Sequence, residues 1–437
     1  MLLVKQIQHG HTHDELSPPM SSRNASTPYQ PAPRSENSSI VAWLLAIACF
    51  LCPATSWQLI PGALSWSDAF LLAAGVAYLP IAMLRKDGFQ LPTLMLAAVA
   101  FIVIAFMGSS ITNPGLPSLI NCLKLLVSLF FVPIVIMWVT VGRVAAMDRL
   151  LWFWLAGGCL SALVGVCAKY GISLFGLKEG ASAGARISGL TYHPNVLGYA
   201  CALLLPVGIY LLSTVRSNMA RMACIVAIGL LAYAVQLTGS RASLLAALIG
   251  SAVWLPNPFR LKMHQSEFFI LIAGGLGIVA LVFFITLNDK ASAKAEDSLS
   301  RLFGDIAHVR TSNEARNKQT QIAYDRIQES PIFGKGFYEY TRYAHNTSLQ
   351  MLQSGGLVGF LGILLWWGGM ARCWWQVRNT ALPHQEFMLL QMIMSITLIV
   401  LINGAFEPFL IDRASYIAFG ILLGLWLSLR FNQSRLE

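Results

Sequence analysis

The sequence predicts an all-α polytopic membrane protein with about twelve spanning helices and one large hydrophilic connection between the ninth and tenth. Three observations carry that expectation. Of 437 residues, 56% are hydrophobic and only 11% charged, too few charges to clothe a soluble globule of this size. Apolar runs long enough to cross a hydrocarbon layer, each about 20 residues, recur from Ile40 onward. Basic residues gather at alternate connections between those runs.

Residues 1–39 are rich in Ser, Pro, Asn and His and read as a disordered tail. The cluster His9, His11, His13, Asp14 and Glu15 within it is read as incidental rather than as a metal site. Nine spans are expected within 40–287, at 40–60, 67–84, 91–112, 119–140, 150–170, 194–214, 221–238, 242–256 and 268–287. A hydrophilic loop fills 288–354, and three further spans, 355–371, 386–403 and 413–430, complete the chain. Arg85/Lys86, Arg143/Arg149, Arg216/Arg221, Arg260/Lys262, Arg372/Arg378 and Arg430/Arg435 fall on one side, which the positive-inside rule makes cytoplasmic together with both termini. The opposite connections 61–66, 113–118 and 404–411 contain no Lys or Arg. The formal net charge of +10 is thereby absorbed by topology, and nucleic acid is not an expected partner. All eight cysteines lie in or beside apolar runs without metal-type spacing and are read as packing residues.

Two outside segments break the pattern. Residues 171–193 carry Lys178, Glu179 and Arg186, and 288–345 carries nine basic residues against eight acidic ones. In the second, Ala315, Ile322, Ala323 and Ile327 recur at helical spacing, an amphipathic helix that Pro331 and Gly334 end.

Arg241 stands in Thr238-Gly239-Ser240-Arg241-Ala242-Ser243 with almost no loop around it. At membrane depth an arginine costs about 2.5–3.5 kcal/mol. A span-end arginine that snorkels to water is the plain reading. Its position against the orientation rule favours anion binding. Arg186 lies in a small-residue stretch, Ser182 to Gly189, followed by Tyr192-His193-Pro194-Asn195, and is either solvated or a second anion contact. His345 follows Tyr338, Tyr340 and Tyr343, and precedes Asn346; it either caps the next helix or serves as a base near neutral pH. Lys124 and Glu407 are span-end residues that either join the same site or are merely solvated. Acidic residues on this side form no DxD or paired-ligand pattern, so no metal and no cofactor are expected. Arginines present planar, permanently charged donors to phosphate oxygens, and a phosphorylated lipid is the natural ligand.

Three stretches, Gly239-Ser240-Arg241-Ala242-Ser243-Leu244-Leu245, Glu329-Ser330-Pro331-Ile332-Phe333-Gly334-Lys335-Gly336-Phe337, and Ala344-His345-Asn346-Thr347-Ser348-Leu349-Gln350 with Gly355-Gly356-Leu357-Val358-Gly359, resemble in order and spacing the O-antigen ligase and polymerase superfamily. Arg316 sits where that family has an arginine on its loop helix. The resemblance implies an inner-membrane glycosyltransferase acting on the periplasmic face. Its donor would be an undecaprenyl-diphosphate-linked O-antigen. A ligase moves that glycan to lipid A core, a polymerase extends it on its carrier, and a protein O-oligosaccharyltransferase moves it to a hydroxyl side chain. The end of the chain at Glu437, shortly after the last span, favours the first two, and the single dominant loop with its Ala-His-Asn element favours the ligase.

On the chemistry the resemblance implies, Arg186, Arg241 and Arg316 hold the donor diphosphate, and His345 is either the base toward the acceptor hydroxyl or a further phosphate contact. Asn346, Lys124, Tyr192, His193 and Arg342 are the remaining candidates for donor or acceptor binding. A transporter of lipid-linked glycan is the competing class, since twelve spans also suit one.

Overall fold

The computed structural model describes residues 37–60, 64–84, 90–112, 115–174, 186–254, 306–337, 346–380, 382–407 and 412–433. These form twelve helices: α1 (Asn37–Leu51), α2 (Trp66–Leu84), α3 (Thr93–Thr112), α4 (Leu116–Thr140), α5 (Val144–Lys169), α6 (Pro194–Thr214), α7 (Asn218–Leu237), α8 (Arg241–Ala252), α9 (Ile306–Glu329), α10 (Thr347–Arg378), α11 (His384–Gly404) and α12 (Ala414–Gln433). Eight of them, α3 to α7 and α10 to α12, are long and apolar enough to cross a membrane. The protein is thus an all-α polytopic membrane protein.

Several expected spans differ in extent. The run 40–60 does not continue as a helix past Leu51, because Pro53 has no N–H to donate and disfavours helical backbone at Cys52. The chain instead turns into a short antiparallel hairpin, β1 (Gln58–Ile60) with β2 (Leu64–Ser65). The run 242–256 yields the 12-residue α8, and 268–287 lies outside the described residues. The tenth expected span, 355–371, is the middle of a longer helix that begins at Thr347.

Helix α10 packs along α3, α12 along the second half of α4, α6 against α5 and α7, and α8 against α11. Small residues permit the close approaches, as expected where lipid offers no hydrophobic drive between helices. A Cβ on Gly362 would sit 3.2 Å from the Ala98 carbonyl oxygen, and one on Gly424 would sit 2.3 Å from Thr140 Oγ1. Helix α4 contains one π turn, Val127–Phe131, just before Pro133. Pro133 cannot donate to the carbonyl four residues back, at Leu129. That freed oxygen accepts instead from the indole N–H of buried Trp366 on α10, at 2.9 Å.

A second break organises the loop motif. Gly356 has φ 61 and ψ −162 inside α10, which interrupts the helical ladder there. The backbone groups left over pair with the stretch 331–336. Lys335 N donates to Gln353 O (2.9 Å) and Gly336 N to Ser354 O (3.0 Å), while Leu357 N donates to Pro331 O (2.8 Å) and Val358 N to Ile332 O (3.1 Å). Buried backbone groups such as these must pair, since each one left unmet costs free energy comparable to a lost hydrogen bond. A Cβ on Gly334 would lie 2.5 Å from Ser354 carbonyl carbon, and one on Gly356 2.3 Å from that of Ile332. The Glu-Ser-Pro-x-x-Gly-x-Gly-Phe and Ser-Gly-Gly-Leu-Val-Gly stretches are therefore two halves of one backbone clasp. Phe337, fully buried, completes it: its N–H donates to Ser118 Oγ (3.1 Å), and its carbonyl accepts from Asn121 Nδ2 (2.9 Å), both on α4.

Helix α9 leads into the clasp. Its inward positions Gln319, Ile322, Ala323, Arg326 and Ile327 follow helical spacing, and Ala323 is buried.

Candidate functional site

The ends of α6, α7, α8, α10, α11 and α12 meet in a belt of polar side chains at one end of the spans. Arg186 supplies its first cation. Its Nε donates to the Thr238 carbonyl at the end of α7 (2.5 Å), and its Nη2 donates to Asn195 Oδ1 in the first turn of α6 (2.5 Å). The same amide turns its Nδ2 to Glu407 Oε1 at 2.8 Å. Glu407 follows α11, where its N–H donates to Asn403 O (2.8 Å) and its carbonyl accepts from Thr347 Oγ1 on α10 (3.3 Å). Four segments distant in sequence are joined through these few bonds.

Arg241 is exposed at the first position of α8. Gly239, with φ 61, turns the chain from α7 into Ser240, whose hydroxyl caps α8 by accepting from Ser243 N at 3.4 Å. Ser243 Oγ donates to Asn403 Oδ1 (3.2 Å), which links this turn to the Glu407 segment. The α8 N-terminus beside Arg241 adds the partial positive charge of its unpaired amides.

Asn346 caps α10: its Oδ1 accepts from Ser348 N (2.8 Å) and Leu349 N (3.2 Å), and its Nδ2 donates to Ala405 O (3.2 Å). The capping role weighed above for His345 thus belongs to its neighbour. His193 is the cap of α6. Its Nδ1 accepts from Asn195 N at 3.1 Å, which places the neutral ring's hydrogen on Nε2.

A second group of charges adjoins the first. Arg413 pairs through Nε with Asp68 Oδ1, and Asp68 Oδ2 accepts from Ser65 N and Ser65 Oγ, each at 2.8 Å. Lys124 lies within electrostatic reach of both Arg413 and Asp68. Asp412 stands beside them at the entry to α12. Desolvation pushes its carboxyl up to about 6, while a bond from Ala414 N and the charge of Arg413 pull the other way. Tyr192 stands between the two groups, in reach of Asp412, Glu407 and Arg413.

The structure therefore brings together Arg186, Tyr192, His193, Asn346 and the Arg241 turn, with Lys124 in the adjoining charge group. Arg316 lies on α9, where only the backbone is described, and His345 and Arg342 lie outside the described residues. Sequence reasoning did not find Asn195, Asp68, Asp412 or Arg413. Asp68 and Arg413 left one usable signal, since each is a charge at the edge of an apolar run.

Fold and belt together define a multi-pass membrane protein that gathers cations, carboxylates and amides at one end of its helices. Residues 225–364, about a third of the chain, match the family model described as O-antigen ligase, and this segment is similar to that family. The matched segment contains Arg241, Arg316, Arg342, His345 and Asn346, whereas Lys124, Arg186, Tyr192, His193 and Glu407 lie outside it. No curated protein matches the chain.

Proposed function

We propose that the protein transfers O-antigen polysaccharide from undecaprenyl diphosphate to a sugar hydroxyl of lipid A core, inverting the anomeric configuration without a metal. One observation carries the reading: Arg186, held by Thr238 and Asn195, lies in the same bonded assembly as the Arg241 turn and the Asn346 cap. A diphosphate needs fixed cations, and charge-assisted bonds contribute about 1.5–3 kcal/mol each. Arg186 and Arg241, with Arg316 from the loop helix, stabilise the charge on the leaving diphosphate. His345 acts on the acceptor hydroxyl, which attacks the anomeric carbon from the face opposite the departing phosphate; the hydroxyl proton passes to the imidazole and the electron pair of the breaking bond to the diphosphate. The positive-inside pattern supports the reading that this end of the helices faces the periplasm from the inner membrane.

The test is attachment of glycan to lipid A core in membranes containing Arg241→Ala or His345→Ala. Each substitution is expected to abolish transfer, with full-length carrier-linked polymer accumulating on the outer side. Near wild-type transfer by both variants refutes the site. Lipid A core bearing a single repeat identifies a polymerase instead, and carrier-linked glycan retained inside identifies a transporter. Transfer is expected to persist in excess chelator, and a dependence restored by Mg or Mn would overturn the metal-free step.

A further inference from the structure

The far ends of α10 and α12 gather a different set of cations. Helix α10 runs 32 residues from the polar belt to Arg378, about 45 Å at helical rise, and α12 returns alongside it. There the Arg378 guanidinium lies over the Trp374 ring at 5.1 Å and that of Arg430 over the Trp426 ring at 5.0 Å. Trp426 Nε1 donates to Gln376 Oε1 at 2.6 Å, which fixes the two helix ends against each other. Arg372 and Arg430 both lie within electrostatic reach of Cys373, the residue before Trp374 of the Arg378–Trp374 pair.

Arg372, Arg378 and Arg430 are exposed, and among the described residues no carboxylate pairs with them. The Trp374 indole N–H beneath Arg378 also has no acceptor. Trp375, 58% exposed, faces outward beside them, as an interfacial aromatic does. Orientation alone requires only positive charge near the span ends. It does not require guanidinium planes parked on tryptophans, an arrangement that gives up side-chain freedom and holds N–H donors in place.

We propose that the paired ends of α10 and α12 form a binding site for one anionic phospholipid, its phosphate held by Arg372, Arg378 and Arg430 and its acyl region against Trp375. The counter-charge these arginines lack among the described residues is what an anionic leaflet supplies, and it does so at the depth where span ends lie. The site is separate from the polar belt and takes no part in the proposed transfer.

The test uses the full chain in phosphatidylcholine nanodiscs with and without phosphatidylglycerol, with retained lipid read by native mass spectrometry. The wild type is expected to retain phosphatidylglycerol. R378Q/R430Q is expected to lose about tenfold in retention, while R143Q/R216Q, which removes equal charge elsewhere, keeps it. Equal loss in both pairs, or none in either, overturns the proposal. Should R378Q/R430Q fail to fold, two wild-type measurements decide. Brominated phosphatidylglycerol is expected to quench tryptophan emission more than brominated phosphatidylcholine at equal content, and millimolar inorganic phosphate is expected not to relieve the quenching. Equal quenching by the two lipids, or relief by phosphate, overturns it as well.

Discussion

The side-chain amide of Asn195 donates to Glu407 Oε1 at 2.8 Å, and through its other atom it accepts from Arg186 Nη2 at 2.5 Å. One uncharged group thus sets the orientation of an arginine by reference to a carboxylate just past the end of another helix. Asn195→Leu removes both bonds and is expected to lower glycan transfer about 10- to 100-fold, the equivalent of one charge-assisted bond. Asn195→Asp keeps the acceptor toward Arg186 but sets a carboxylate against Glu407, so it is expected to fall between Leu and the wild type. Transfer assays on membranes with matched protein levels check the order; equal activity for all three shows that Arg186 needs no such support.

The clasp gives a prediction about folding. At Gly356 and Gly334 the backbone has φ 61 and 70, and an added Cβ meets main-chain atoms at 2.3 and 2.5 Å, which cannot rotate away. Gly356→Ala and Gly334→Ala are each expected to cost about 3 kcal/mol or more, from left-handed strain and loss of the pairing. Gly368→Ala on the same helix meets only Leu94 Cδ1 at 3.8 Å and is expected to be neutral. Thermal unfolding in detergent compares them. A Gly356→Ala protein that melts with the wild type would mean the clasp contributes nothing.

These cases also mark how far sequence reading reaches. Arg186 and Arg241 were legible because each violates a one-dimensional rule, a cation on the side that should lack them. The glycine-rich motifs were legible as motifs, yet their purpose was not. The pairing of Lys335 with Gln353 and of Leu357 with Pro331 joins backbone groups, which leave no residue-type signature. Asn195 was invisible for a different reason. An asparagine in a helix's first turn reads as local capping chemistry, and its partner Glu407 lies 212 positions away. The short α1 was misread because apolar content extends through Trp57 to Ile60, where Pro53 rather than hydrophobicity decides the boundary.

Asp412 makes stability depend on pH in the direction opposite to most carboxylates. Its pKa is raised by desolvation from the ordinary 3.8 to about 6. Between about pH 4 and 6 the folded protein therefore holds a proton that the unfolded chain has released. Stability falls as pH rises through that window, and the stabilising contribution is gone above it, a change of order 1–3 kcal/mol. Asp412→Asn removes the titration. Relative to the wild type it is expected to gain stability near pH 7 and little near pH 4. Melting temperatures of both proteins across this range check the sign; a variant whose difference from the wild type does not change with pH refutes it.

The Asp68–Arg413 pair supplies a last, quantitative test of the charge group around Lys124. Asp68 is 3% exposed, and its carboxylate is held by Ser65 and Arg413. Asp68→Ala takes from Arg413 its paired carboxylate while Lys124 stays in reach, and Arg413→Ala leaves the buried Asp68 carboxylate with the Ser65 bonds and Lys124. Breaking a buried pair from one side costs about 3–5 kcal/mol, because the remaining charge is uncompensated. Removing both partners leaves no such orphan. The double variant Asp68→Ala/Arg413→Ala is therefore expected to be destabilised by less than the sum of the singles, with a coupling of about 1.5–3 kcal/mol. A melting-based double-mutant cycle measures it. Additive losses would show that the two charges are each stabilised by other partners, and that the group does not act as a unit.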